Sequence, residues 1–247
     1  MDRVVYQELA SLDENDWWWF VGRRAIIEQI LKRRLHPVAG RRRVLDAGCG
    51  SGGNLPMLRQ FGDVTGVEPS PIAVAAARKR CGETVRVLEG PIPEGLTAGE
   101  QFDLIGLFDV LEHIEASVEA LRSLRPHLAP GGQLMVTVPA FQFLWSKHDD
   151  INHHFRRYTL KSLEGELSAA GFTIDFHTHY NVTLFPPIAA VRLLRKVLPG
   201  EESDNENALT GGLANRVLTR LFSAERHLVS RVQFPFGVSL MVLARVR

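Results

Sequence analysis

The fold is decided by one stretch of the sequence, Val44-Leu-Asp-Ala-Gly-Cys-Gly-Ser-Gly-Gly53. It begins as a short apolar strand and ends in a glycine-rich turn, and apolar residues at helical spacing follow it. A glycine loop between a strand and a helix lets the backbone approach a ligand closely and points free N–H groups at it. The stretch therefore predicts a ligand-binding turn at the carboxyl end of the first strand.

Strands and helices alternate after this turn. Strands are predicted at residues 64–67, 85–88, 102–108 and 134–138. Because residues 102–108 carry only a single charge, we expect this strand to be buried on both faces, as strands of parallel sheets are. The alternation predicts an α/β fold in which helices cover both faces of a parallel sheet.

The composition narrows the classes of partner and compartment. The chain has 247 residues and a net charge of +1, with 29 Lys and Arg against 28 Asp and Glu. This balance argues against a nucleic-acid partner, which normally requires a positive excess. Two cysteines, Cys49 and Cys81, cannot build a disulfide framework or a four-thiolate zinc site. With no signal pattern and no run of 18 apolar residues, we expect a cytoplasmic protein.

Two ligands fit the glycine turn. Gly48, Gly50 and Gly53 satisfy the dinucleotide pattern, with Glu68 following at 20 residues from the first glycine. Asp46, however, lies two residues before that glycine. Its carboxylate would repel a pyrophosphate and suits a cationic ligand. A nicotinamide-dependent oxidoreductase therefore remains the weaker alternative.

The sequence resembles the class I methyltransferases that use S-adenosylmethionine. Besides residues 44–53, the resemblance includes Gly66-Val-Glu-Pro-Ser70, the stretch from Phe102 to His113, and Leu128-Ala-Pro-Gly-Gly-Gln-Leu134, and it covers residues 41–178. It implies a Rossmann-like, doubly wound, seven-stranded sheet whose last strand is antiparallel. The cofactor would be S-adenosylmethionine, with S-adenosylhomocysteine as its product.

The resemblance also implies the cofactor-binding residues. Gly48 and Gly50 would approach the methionine part, and Glu68 would accept hydrogen bonds from both ribose hydroxyls. Adenine would be held by Glu89 or by backbone and Ile92. The full predicted set is Asp46, Gly48, Cys49, Gly50, Gly52, Glu68, Pro69, Gly90, Ile92, Phe108, Asp109 and His113.

A polar run at residues 145–158 follows the fifth strand. It resembles a run that a subgroup of the class I methyltransferases carries at this place, and the resemblance implies that it faces the substrate. We expect His154, then His148, to act as general base, because histidine titrates near neutral pH, and we add Tyr158 to the catalytic set. A metal site built from His148, Asp149, His153 and His154 is a competing hypothesis, but no metal is predicted. The run could also be a polar loop in which Arg157 and Asp149 pair structurally.

The predicted acceptor is a small or lipid-like molecule. Enzymes that methylate exocyclic amines carry an Asn/Asp-Pro-Pro-aromatic motif after strand four, and this motif is absent here. We expect the acceptor atom to be oxygen rather than nitrogen or carbon. The predicted substrate-binding residues are Trp19, Phe20, Arg24, Trp145 and Arg157. A non-catalytic cofactor-binding partner protein is the main alternative.

Four segments are predicted along the chain. Residues 1–40 form an aromatic segment, irregular to residue 20, and then a helix that caps the site. Residues 41–178 form the cofactor-binding core, residues 179–237 a helical insertion acting as a substrate lid, and residues 238–247 the final strand.

The insertion contains two predicted basic amphipathic helices. Their apolar faces are Ile188, Val191, Leu194 and Leu198, and then Leu213, Val217, Leu221, Ala224 and Leu228. Such helices most often pack their apolar face on a core, although they also lie in membrane interfaces. Peripheral membrane contact is therefore one expectation for these helices. We also expect the protein to be a monomer or a homodimer.

Overall fold

The computed structural model describes residues 16–197 and 212–247. The helices are α1 (Trp18–Arg34), α2 (Leu55–Leu58), α3 (Pro71–Cys81), α4 (Ser117–Leu124), α5 (Lys147–Ile151), α6 (Leu160–Ala169), α7 (Phe185–Val197), α8 (Gly212–Ala224) and α9 (Arg226–Val229). The strands are β1 (Arg43–Ala47), β2 (Asp63–Glu68), β3 (Arg86–Glu89), β4 (Phe102–Phe108), β5 (Leu128–Pro139), β6 (Phe172–Tyr180) and β7 (Ser239–Val246).

The strands form one seven-stranded sheet in the order β3-β2-β1-β4-β5-β7-β6. The first five strands are parallel, and β7 runs antiparallel to both β5 and β6. Two apolar clusters cover the opposite faces, since alternate residues of the central strands point to opposite sides. The Rossmann-like fold class, including the antiparallel last strand, is confirmed.

The predicted bounds differ from the observed ones at the aromatic block. Residues 17–20 were expected to precede the first helix, but α1 begins at Trp18. The side-chain oxygen of Asn215 on α8 accepts a hydrogen bond from the backbone N–H of Trp18 at 2.9 Å, and its amide nitrogen donates to the carbonyl of Asp16 at 2.7 Å. The first N–H groups of a helix have no partner within that helix. Asn215, which is distant in sequence, accepts the hydrogen bond of one of them.

Helices α1 and α8 pack through Phe222, whose side chain is fully buried. The ring of Trp19 stacks on Phe222 with centroids 5.4 Å apart, and Trp18 meets it edge-on at 5.7 Å. Gly22 is required at this crossing, because a Cβ there would lie 2.2 Å from Cδ1 of Phe222. The insertion therefore holds the N-terminal helix against the sheet.

The apolar stripe predicted for α8 does not face the core. Leu213, Val217 and Leu221 expose 78%, 54% and 42% of their surface, and Leu228 beyond the helix is also exposed. Phe222, on the other side of α8, makes the buried contact. The expectation that this stripe packs inward is therefore wrong for α8, and it is also wrong for Val191 and Leu194 of α7, which are exposed. Leu198, the four acidic residues of 201–206 and residues 1–15 lie outside the described residues.

Within residues 16–197 and 212–247, no helix combines the length and apolar character needed to cross a membrane.

We expect Gly22→Ala to lower the free energy of unfolding by about 2 kcal/mol, because the added methyl group overpacks the contact with Phe222. Urea denaturation followed by circular dichroism measures this change. The matched control is Gly165→Ala on α6, where a new Cβ has nothing within 4 Å, and a gain of about 0.5 kcal/mol is expected there. Equal effects of the two substitutions would contradict the packing of α1 on α8.

Candidate functional site

A cavity of about 1210 Å³ opens at the carboxyl ends of β1, β2 and β4. Its wall combines the glycine turn after β1, the first turn of α1, the segment at residues 148–157, and parts of α7 and α8. Ligands bind at this edge in open α/β sheets, because the loops after parallel strands converge there.

The glycine turn is shaped by backbone that other residues rarely adopt. Gly48 has a φ of 82°, and a Cβ there would lie 2.7 Å from Cγ2 of Val110. Its N–H and that of Cys49 donate to the carbonyl of Val67, at 2.8 and 3.0 Å. The turn is thereby tied to β2, and Gly50, with a φ of 53°, lies in the cavity wall.

Glu68 ends β2 with its carboxylate held in place. One carboxylate oxygen accepts the N–H of Gly50 and the other accepts the N–H of Ser70, each at 3.0 Å. The residue is 4% exposed and lines the cavity. A carboxylate oxygen has more than one acceptor position, so Glu68 can still accept hydrogen bonds from a ribose diol. This donor and acceptor set fits S-adenosylmethionine.

Nine of the twelve predicted cofactor residues lie in the cavity wall. They are Gly48, Cys49, Gly50, Glu68, Pro69, Ile92, Phe108, Asp109 and His113. Asp46, Gly52 and Gly90 do not line it. Asp46 is fully buried beneath the turn, and a Cβ at Gly52 would lie 3.0 Å from Ala77 on α3. Burial raises the pKa of the Cys49 thiol, so this residue offers an uncharged wall.

Asp149 organises the opposite, polar side of the cavity. Its Oδ1 accepts hydrogen bonds from Nδ1 of His154 and Nε of Arg157, both at 2.8 Å, while Oδ2 accepts the N–H of Ser146 at 2.9 Å. Burial would raise the pKa of Asp149, but the bonds from His154 and Arg157 outweigh it and hold that pKa well below its usual range.

The bond to Asp149 sets the tautomer of His154. A carboxylate only accepts, so Nδ1 of His154 donates, and Nε2 keeps its lone pair when the ring is neutral. His154 and His148 both line the cavity. A histidine oriented by a carboxylate is the arrangement of a general base.

Glu112 and His113 adjoin His154. Burial and the neighbouring Asp109 raise the pKa of Glu112 well above its usual range, and its Oε2 has no hydrogen-bond partner within the described residues. Burial and the nearby His154 lower the pKa of His113 to about 4, so its imidazole is neutral at pH 7. The rings of His113 and His154 meet edge to face with centroids 4.7 Å apart.

These three residues also form a group that could hold a metal ion. Their ligand atoms lie within 4.8 Å of one another. The metal hypothesis drawn from the sequence used a different set, since it included His148, Asp149 and His153. In the structure Asp149 is already committed to His154 and Arg157.

Two further residues of the wall were missed by the sequence analysis. Arg23 of α1 forms an ion pair with Asp109 after β4 and lies over the ring of Phe20, 5.5 Å from its centroid. Asn181, which follows β6, is fully buried, and neither polar atom of its side chain has a hydrogen-bond partner among the described residues. Arg23 is one of eight Lys and Arg residues at positions 21–43, and this concentration of charge was the available signal for it, whereas nothing in the sequence singled out Asn181.

The other predicted residues divide into two groups. Trp19, Phe20 and Arg157 line the cavity, but Arg24, Trp145 and Tyr158 are not in its wall. The Tyr158 hydroxyl is 3.4 Å from the carbonyl of Leu111, to which it donates, and burial raises its pKa. Trp145 donates from Nε1 to Asp150 at 2.9 Å. The structure therefore does not bring Tyr158 or Trp145 to the cavity.

Residues 21–176, more than half of the chain, match the family model described as a methyltransferase domain. The chain belongs to this methyltransferase family. The resemblance to the class I methyltransferases is thus confirmed, and S-adenosylmethionine, the predicted cofactor, is the cofactor of the family. The oxidoreductase alternative has no support from these matches.

Similar proteins include the ubiquinone biosynthesis O-methyltransferase of Azorhizobium caulinodans, 33% identical over 58% of this chain. The match spans 63% of that relative's length, less than two thirds. A methyltransferase solved in complex with the Haloferax volcanii Trm112 methyltransferase activator has a TM-score of 0.62 at 18% identity, covering 98% of this chain and 97% of its own.

The plantazolicin methyltransferase BpumL, solved with a monoazolic desmethylPZN analogue and S-adenosylhomocysteine, also has a TM-score of 0.62. It is 15% identical and covers 100% of this chain and 90% of its own. At these identities the two solved structures confirm the fold.

We expect Glu68→Ala to weaken S-adenosylhomocysteine binding by at least tenfold, because the fixed carboxylate then no longer accepts from the ribose. Isothermal titration calorimetry measures the affinity. The control Glu89→Ala, at the end of β3, tests the predicted alternative contact to adenine and should have a smaller effect. Unchanged binding in Glu68→Ala would contradict the assignment of the ribose site.

We expect Asp149→Asn to lower the free energy of unfolding by about 3 kcal/mol at pH 7, because Arg157 then loses its buried ionic partner. The pKa of Asp149 is lower in the folded chain, so its contribution is present above about pH 4 and is lost as the pH falls. The difference in the free energy of unfolding between wild type and variant should therefore shrink as the pH is lowered below about 4. The control Asp150→Asn, at an exposed neighbour, should show no such difference.

Proposed function

We propose that the chain transfers a methyl group from S-adenosylmethionine to an oxygen atom of a small or lipid-like molecule, with His154 as general base. One observation carries this proposal. His154, which donates a hydrogen bond to the buried Asp149, lies in the wall of the same cavity as the glycine turn and Glu68. A cofactor site and an oriented base thus share one cavity.

S-adenosylmethionine supplies the methyl group on a positively charged sulfur. The glycine turn and Glu68 would hold and orient it, and alignment with the acceptor in the cavity would provide much of the rate enhancement. His154 accepts the acceptor's proton at Nε2. Asp149 stabilises the resulting imidazolium through Nδ1–H, and Arg157 keeps Asp149 ionised and in place.

An oriented imidazole favours oxygen as the acceptor atom. A neutral amine attacks a sulfonium without first losing a proton, and most carbon acids require a stronger base than imidazole. A phenol or enol, with a pKa of about 10, has a proton that imidazole can take as the new bond forms. The O-methyltransferase named among the similar proteins supports this choice.

The residues that line the cavity favour an acceptor molecule with an apolar body and a polar end. Trp19, Phe20 and Ile188 provide apolar surface. The Asn181 amide can both donate and accept, and the protonated form of Glu112, favoured by its raised pKa, can donate. Such buried polar groups reject ligands that leave them unpaired.

The remaining properties follow from the sequence and belong to the same proposal. We take the protein to act in the cytoplasm as a monomer or homodimer, without nucleic acid and without a metal. Residues 1–40 and 179–237 would cap the site, since α1, α7 and α8 all contribute to the cavity wall.

We expect His154→Asn to lower kcat by about 10²–10⁴-fold while the affinity for S-adenosylhomocysteine is kept, because the base is lost and the cofactor site is not. Methyl transfer to a panel of phenols and catechols, read by S-adenosylhomocysteine release, measures the rate. His148→Asn is the matched control, since its ring is 6.3 Å from that of His154 and lacks the bond to Asp149.

Two outcomes would contradict the proposal. Loss of wild-type activity on adding a chelator, restored by a divalent ion, would favour metal-assisted transfer at Glu112, His113 and His154. Cofactor binding without turnover on any acceptor would favour a non-catalytic partner protein.

A further inference from the structure

Helix α7 presents an apolar face to solvent. Leu193 and Leu194 expose 47% and 59% of their surface, and Val191 exposes 46%. Pro186 and Ala190 on the same helix are also exposed. The side that packs inward carries Ile188, which lines the cavity, and Arg192, which donates to the carbonyl of Leu144. The helix thus packs partly through its polar residues and leaves most of its apolar surface uncovered.

Helix α8 likewise leaves its apolar face exposed to solvent. Leu213, Val217 and Leu221 follow one another at four-residue intervals and are all exposed. At this spacing they lie on one side of the helix. Arg216 and Arg220 are exposed next to them. Of the twelve exposed large apolar side chains among the described residues, eight lie between Val191 and Val232, so the exposed apolar surface is concentrated on the insertion.

The exposed charges in the described part of the insertion have one sign. Exposed Arg195, Lys196, Arg216, Arg220 and Arg231 accompany the apolar surface. In the described part of the insertion, 179–197 and 212–237, the only carboxylate is that of Glu225, which is 3% exposed. It accepts the N–H groups of residues 182 and 183, which precede α7. The described insertion therefore exposes apolar and cationic groups and no anionic group.

We propose that α7 and α8 dock on a bilayer that contains anionic lipids. Apolar helix faces flanked by Lys and Arg bind at the boundary between lipid headgroups and acyl chains, where burial of apolar side chains and attraction to anionic headgroups act together. A second copy of this chain fits less well. A symmetric dimer through this surface would bring two sets of exposed cations together, and the described residues of α7 and α8 offer no carboxylate to pair with them.

Docking in this way would place the bilayer beside the cavity. Ile188 and Val191 of α7 and Leu218 of α8 line it, and Val191 is also part of the exposed surface. An apolar molecule dissolved in the bilayer would then reach the cavity along α7. Binding to lipid does not depend on which atom receives the methyl group, so it is testable apart from the proposed function.

The test is flotation of the full chain with vesicles of phosphatidylcholine, alone or with about 30% phosphatidylglycerol. Wild type should float with the anionic vesicles and much less with the neutral ones. Leu194→Gln/Val217→Gln/Leu221→Gln and Arg216→Glu/Arg220→Glu should each lower binding by about tenfold or more, because one removes apolar burial and the other reverses the electrostatic attraction.

Lys79→Glu/Lys161→Glu is the matched control. It makes the same change in net charge at exposed residues of α3 and α6, away from the insertion, and should leave flotation unchanged. Affinity for S-adenosylhomocysteine and the melting temperature show that each variant is folded. Flotation equal for wild type and both insertion variants would overturn the proposal. A second result would also overturn it: light scattering shows a dimer, the triple substitution dissociates that dimer, and neither form binds vesicles.

Discussion

The polar half of the site depends on one buried carboxylate. Asp149 is fully buried, and an ion in that position is tolerated only when its oxygens are satisfied. Arg157, His154 and the backbone of Ser146 satisfy them. The same bonds that make burial of Asp149 possible also set the tautomer of His154 and direct its free nitrogen away from Asp149. Stability and chemistry therefore have a common origin at this residue.

The other half of the site depends on backbone geometry. The turn at Gly48 and Gly50, where both residues have positive φ angles, and the fixed carboxylate of Glu68 lie at the ends of adjacent parallel strands. The sheet order brings this half opposite the loop after β5, which carries Asp149. Helix α1 closes the space between the halves through Arg23 and its ion pair with Asp109, and Phe222 of α8 holds α1 in that position.

The sheet and the glycine turn were predictable because their signals are local. A strand of seven residues with a single charge, and a turn with glycines at alternate positions, are recognisable from neighbouring residues alone. The start of α1 was not predictable, because its N-terminal hydrogen bond comes from Asn215, which is 197 residues away. Amphipathic spacing located α8 but could not show which side packs, since Phe222 alone outweighs the leucine stripe. Tyr158 and His154 lie in one polar run, and only the tertiary structure separates the buried hydroxyl from the imidazole in the cavity wall.

The most direct measurement is a double-mutant cycle on kcat with Asp149→Asn and His154→Asn. If Asp149 acts through His154, the double variant should be no slower than His154→Asn alone, because the positioning residue has nothing left to position. Losses that multiply in the double variant would contradict this dependence and would show that the two residues contribute to methyl transfer separately.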